Sequence, residues 1–124
     1  VSAFLLNRSS DLDLSGRTPS VPCTLLYGIY DGDELASVMV ATYQKVAPHE
    51  DGKTGRTVQI SGAYTKEDKR HCGYATKLLT EIEHDANEYY KADYICCDSS
   101  ADKLYIGCGF KVSNESRLWK QLVR

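Results

Sequence analysis

The sequence predicts an α/β fold, α+β in its strand pairing, and three observations carry it. Two short apolar runs, Leu25 to Tyr30 and Leu35 to Tyr43, flank Asp31-Gly32-Asp33, which marks a β-hairpin. An amphipathic segment from Tyr74 to Tyr90 lies between two strand-like segments, 57–64 and 92–97. Such a helix joins parallel strands by a right-handed crossover. A hairpin plus one crossover makes a mixed sheet.

Along the chain, residues 7–22 are polar and broken by Ser9-Ser10, Ser15-Gly16, Pro19 and Pro22, so they read as a loop or linker. The hairpin follows. Lys45 to Arg56 contains Pro48, Gly52 and Gly55 and reads as a second loop. Thr57 to Tyr64 alternates, with Val58 and Ile60 on one face and Thr57 and Gln59 on the other, and predicts a strand. Gly62 within it predicts a bulge or a close backbone approach. The charged stretch Thr65 to Gly73 predicts a loop. In the helix, Ala75, Leu78, Leu79, Ile82, Ala86 and Tyr89 follow the 3.6-residue period. Lys77, Glu81, His84, Asp85 and Glu88 fall mostly opposite. Ala92 to Cys97 is nearly all apolar, as a buried parallel strand is. Ser99 or Ser100 caps a short helix over Ala101 to Cys108 that ends at Gly109. Phe110–Val112 and Arg117–Val123 form a closing pair of strands around Asn114-Glu115-Ser116.

Composition narrows the function classes. The 124 residues, 42% hydrophobic and 26% charged, fit one globular domain over 1–124. Nine tyrosines suit strands and cleft walls. A net charge of −2 and a pI near 5.9 argue against a nucleic-acid partner. No apolar run has the length of a membrane span, which argues against a membrane partner. Val1 to Leu6 is too short for a leader and has no basic lead. The first residue is Val, so the chain reads as a fragment or a processed product. Five cysteines (23, 72, 96, 97 and 108) include no C-x-x-C pair, which argues against a zinc site and a disulfide framework. Free thiols predict a cytoplasmic protein.

The informative place is the turn before the long helix. A helix start offers unpaired N–H groups and partial positive charge. Gly73 lets backbone approach a bound group, and Lys69 and Arg70 add charge. Such a turn suits a pyrophosphate, or is an ordinary solvated turn.

Arg70-His71-Cys72-Gly73-Tyr74-Ala75 resembles the R/Q-x-x-G-x-G/A turn of the GNAT acetyltransferase superfamily. Ala101 to Phe110 is similar to that family's A-x-x-L-Y-x-x-x-G-F segment. The resemblance spans residues 24 to 123 in strand order and is sharpest over 57–110. It implies an acyl-CoA N-acyltransferase-like fold, a mixed, mostly antiparallel sheet with helices on both faces. It implies acetyl-CoA as cosubstrate, no metal, and direct acetyl transfer to an amine of a small molecule or peptide. The backbone from Cys72 through Thr76, with Arg70 and His71 beside it, would hold the pyrophosphate. Ala63, Tyr64 and Thr65 would pair with the pantetheine arm. Tyr105 would protonate the leaving thiolate. For the base that frees the amine, Gln59 (holding a water), His49, Glu34 and His84 stand open.

Two departures accompany the resemblance. The family carries one or two helices before its hairpin, and residues 1–22 are too short and broken for them. Either that segment is rebuilt, or part of the protein is missing, or a partner completes the site. Asp98 stands where the family often has Asn after its fifth strand. A carboxylate there changes the charge near the cofactor and would attract a cationic amine. Cys72 beside His71 admits a competing nucleophile reading, yet adjacent turn residues point apart and no third group orients them. The apolar residues of Leu118 to Leu122 suit a homodimer contact. The other class of function is a non-catalytic acyl-CoA sensor or interaction module on the same fold.

Overall fold

The computed structural model describes residues 3–7, 23–48, 54–97, 102–112 and 118–122. Seven strands form one sheet, in the order β1-β2-β3-β4-β5-β7-β6. β2 (Cys23–Asp31) and β3 (Glu34–Pro48) make the predicted hairpin, with Asp31 facing Glu34 across the Gly32-Asp33 turn. Gly32 takes φ 67°, the positive value a two-residue turn needs at its first position. Leu25, Tyr27 and Ile29 alternate into the core. β4 (Thr54–Thr65) runs antiparallel to β3.

β1 (Ala3–Asn7) pairs antiparallel with β2, Ala3 facing Ile29. Its apolar run lacks the alternation that marks a strand in sequence. The predicted loop over Lys45 to Arg56 is corrected. β3 reaches Pro48, β4 starts at Thr54, and Ala47 faces Gly55. The register shifts between Gln44 and Ala47, and Pro48 sits at the strand end, where its missing donor is tolerated. Gly55 is held by close packing. A Cβ there would come 2.9 Å from Asp93 Oδ2 and 3.1 Å from the Tyr94 ring.

The parallel pairing of the two strands joined by the helix is as predicted. α1 (Tyr74–Asp85) leads from β4 to β5 (Tyr94–Cys97), and β4 and β5 are the parallel pair of the sheet. The helix face needs a correction. After Asp85 the chain takes a wider π-helical turn, 86–90, which advances the frame by one residue. Tyr90 is therefore buried, while Asp85, read as an outward residue, is 5% exposed because it lies seven residues after Leu78 and three after Ile82, on the same helix face. α2 (Asp102–Gly107) ends in a turn at Gly109, φ 95°. β6 (Lys111–Val112) and β7 (Leu118–Gln121) pair antiparallel, with β7 inserted beside β5.

Val58, Ile60, Ile95, Cys97 and Leu118 face the same core as Leu78, Leu79, Ile82, Tyr105 and Phe110. Both described helices contribute to it. Lys120 on β7 joins them, pairing with Glu83 of α1 at 2.6 Å and donating to the Cys108 carbonyl at 3.1 Å. Leu118 and Leu122 are buried within the chain, so they are not the exposed dimer contact read from sequence.

A polar thread crosses the core. Asp85 Oδ2 accepts the Tyr27 hydroxyl at 2.7 Å, and the Tyr27 hydroxyl oxygen lies 2.7 Å from that of Tyr43. Burial raises Asp85's carboxyl above its ordinary 3.8, the Tyr27 bond opposes that rise, and Glu81 adds to it. A raised carboxyl pKa means that the folded state prefers the protonated form. Its contribution to stability is complete below about 3.8 and is lost as pH rises through the folded value. Asp85→Asn removes that loss, so denaturation across a pH series should show a stability curve that falls less with rising pH than in the parent. Identical slopes would contradict the assignment.

Candidate active site

The turn between β4 and α1 is built from unusual backbone. After a single 3-10 turn at Glu67–Lys69, Arg70 is extended, His71 takes φ 66° and Gly73 takes φ 79°. Positive φ at a histidine is uncommon and is strained by about 1 kcal/mol or more. Gly73 is the N-cap of α1 and no side chain caps the helix. Among the described residues no backbone acceptor takes the N–H groups from Cys72 to Thr76. A Cβ on Gly73 would meet nothing within 4 Å, so the turn is open at Gly73 itself. The first turn of α1 carries no acidic residue to oppose an anion. Such a row of donors at a helix start is suited to phosphate.

Charge is arranged on both sides. Arg70 is exposed and is oriented by its Nε, which donates to the Thr65 carbonyl at 3.2 Å. Lys69, read from sequence as further charge for the anion, pairs with Asp31 at 3.1 Å instead. Asp31 Oδ2 also accepts the Tyr74 hydroxyl at 2.9 Å. The bonds from Lys69 and Tyr74, then the Lys69 charge, lower Asp31's carboxyl below its ordinary value, while the Asp31 bond raises Lys69 and Tyr74. Sequence reasoning missed Asp31 because nothing local connects a hairpin tip with a helix start. Cys72 is exposed, its thiol directed to the Arg70 carbonyl at 3.7 Å.

The edge of β4 supplies the second component. Among the described residues, β5 pairs with β4 over Thr57–Ile60. At Ser61 the β3–β4 register slips, Val40 facing Gly62 and Ala41 facing Ile60, so the bulge expected at Gly62 is present. Beyond it, β4 continues as exposed strand from Ser61 to Tyr64. Lys66 donates to the Ala36 carbonyl and Ser37 faces Thr65. Antiparallel alternation therefore turns the polar groups of Tyr64 toward β3 and those of Ala63 and Thr65 toward the open edge. Of the three residues expected to pair with the pantetheine arm, Ala63 and Thr65 present backbone to it, and the Thr65 carbonyl is shared with Arg70.

The two sequence segments meet in space. Thr76, in the first turn of α1, lies close enough to the Cys108 thiol, just past α2, to lower its pKa. Burial raises that thiol, opposed by Lys120 and Thr76. Tyr105 is 1% exposed, its ring edge-on to Phe110 at 5.3 Å. Among the candidate bases, Gln59 is half-buried on the face of β4 opposite the core, His84 is exposed on α1, and Glu34 pairs with Lys66. Asp98 and His49 lie outside the described residues, as does the Ser99–Ser100 cap.

The chain matches no family model and no curated protein sequence. Its shape does match solved structures. A predicted acetyltransferase with acetyl-CoA from Clostridium acetobutylicum has TM-score 0.63 and 24% identity, over 81% of this chain and 64% of that one. The NatC complex bound to Gag peptide and CoA has TM-score 0.57 and 22% identity, over 79% and 71%. A KacTA–DNA complex has TM-score 0.63 and 14% identity, over 79% and 67%. The chain thus spans about two thirds of the length of these proteins. The sheet order, the β4–α1–β5 crossover and these likenesses agree on one architecture, and the chain has the fold of the GNAT acetyltransferases.

Proposed function

We propose that this chain is an acetyl-CoA-dependent N-acetyltransferase that moves the acetyl group to a primary amine of a small molecule or peptide. The observation that carries the reading is the uncapped helix start at Gly73, with backbone donors from Cys72 to Thr76 that no described acceptor takes. These donors and Arg70 would hold the pyrophosphate. The outward backbone of Ala63 and Thr65 would pair with the pantetheine arm as an added strand. The amine nitrogen attacks the thioester carbonyl, the C–N bond forms, and the C–S bond breaks with its electron pair on sulfur. Tyr105 would give the departing thiolate its proton. The proton lost by the amine goes to solvent, through a water held by Gln59 or by another base. This chemistry requires no metal.

A second reading keeps the cofactor and omits the reaction: an acyl-CoA sensor on the same fold. The burial of Tyr105 favours it, because a phenol that is 1% exposed reaches a sulfur only if the pantetheine arm enters on the core side of β4. A DNA partner is not proposed, since the acidic balance speaks against it and the KacTA likeness rests on fold alone.

Calorimetric titration with acetyl-CoA and coenzyme A, followed by thiol release with a panel of amines, separates these readings. Binding with thiol release is the expected result. Binding without release for every amine supports the sensor, and failure of both ligands to bind defeats both readings.

A further inference from the structure

We propose that Asp31 is a positioning residue that presets the turn for coenzyme A, an inference that rests on reading residues 70–76 as that site. Asp31 closes β2 at the hairpin tip and belongs to neither motif of the site. Its Oδ2 accepts the Tyr74 hydroxyl at 2.9 Å and lies 3.1 Å from Lys69 Nζ. Lys69 and Tyr74 are the residues immediately before and after Arg70-His71-Cys72-Gly73. One carboxylate oxygen therefore holds both ends of the segment that carries the donors. A second ion pair, Glu34 with Lys66, ties the same hairpin tip to the chain where it leaves β4.

Between those ends the turn has little to define it. Two of its four residues sit at positive φ, and the Cys72 thiol makes only a long hydrogen bond to the Arg70 carbonyl, at 3.7 Å. A segment of that kind, if free, must be ordered when the ligand arrives, and each ordered residue subtracts from affinity. Holding it beforehand places the N–H groups where the anion will be. The charge balance fits this role. Lys69 neutralises Asp31, so the carboxylate fixes the turn without presenting net negative charge to a pyrophosphate.

The test is calorimetric titration of coenzyme A into the full chain and its Asp31→Ala, Asp31→Glu, Lys69→Met and Tyr74→Phe variants, with thermal melts of each unliganded protein. The expected result is a loss of affinity of about tenfold or more in Asp31→Ala. Lys69→Met and Tyr74→Phe lose affinity in the same direction, and Asp31→Glu, which keeps the carboxylate, recovers much of it. If Asp31→Ala does not fold, the lysine and tyrosine variants carry the test. Unchanged or tighter binding in the variants overturns the proposal while the site reading stands. So does equal loss in Asp31→Glu and Asp31→Ala. A parent chain that does not bind coenzyme A overturns the site reading, and this role with it.

Discussion

Gly73→Pro should lower coenzyme A affinity by about 100-fold or more, with the sheet intact. Gly73 holds φ 79°, and proline is confined to about −65°, so the variant cannot keep the bend that starts α1. Proline also confines its predecessor, Cys72, toward extended conformations. The row of donors from Cys72 to Thr76 would then diverge. A hydrogen bond to a charged group contributes about 1.5–3 kcal/mol, and each tenfold in affinity is about 1.4 kcal/mol, so losing one or two such bonds accounts for the effect. Gly107→Ala is the matched control, because a Cβ there meets nothing within 4 Å and α2 accepts alanine. Titration calorimetry on both variants, with circular dichroism to check the sheet, decides it. Equal affinity for Gly73→Pro and Gly107→Ala would remove the turn from the cofactor site.

Tyr105→Phe should slow acetyl transfer by about 10²–10⁴-fold, the usual contribution of a positioned general acid. The ring stays against Phe110, so the core loses a hydroxyl and no volume. Coenzyme A affinity should hardly move, because the phenol acts on the leaving sulfur and not on the phosphates. The rate deficit should also shrink when the leaving thiol is more acidic, since a better leaving group needs less proton donation. A single-turnover comparison of the two enzymes with a verified amine measures this. An unchanged rate would assign Tyr105 to the core alone, in keeping with its burial.

Much of this architecture was legible because local rules and long-range packing agree in it. The Asp31-Gly32-Asp33 turn, the Val58 and Ile60 alternation and the Leu78, Leu79, Ile82 stripe each satisfy a local preference and a place in the core. Reading failed where the period was interrupted. The π-helical turn after Asp85 shifts the frame and buries Tyr90, whereas Asp85 keeps the 3.6-residue period of Leu78 and Ile82 and reads as outward from its charge alone. β1 was illegible because four consecutive apolar residues, Ala3 to Leu6, leave no alternation to detect. The site divides the same way. Gly73 and the turn around it depend on backbone that glycine announces. Asp31 depends on a contact between residues 43 positions apart, which no spacing rule encodes. The burial of Tyr105 was equally invisible, since a motif gives a residue its identity and says nothing of its exposure.

The exposed stretch of β4 beyond Ile60 also bears on how the sheet meets other chains. Backbone at Ala63 and Thr65 that can pair with a ligand can also pair with any extended chain, and exposed strand edges are where sheets join one another and aggregate. The fold limits that hazard with two features already present. The bulge at Ser61 twists the strand out of a flat register, and Arg70, bonded to the Thr65 carbonyl, sets a charge at the end of the edge. A slender polar arm can thread past both, whereas a second sheet meets a kink and a guanidinium. The features that shape the entrance thus also guard the sheet against its own kind.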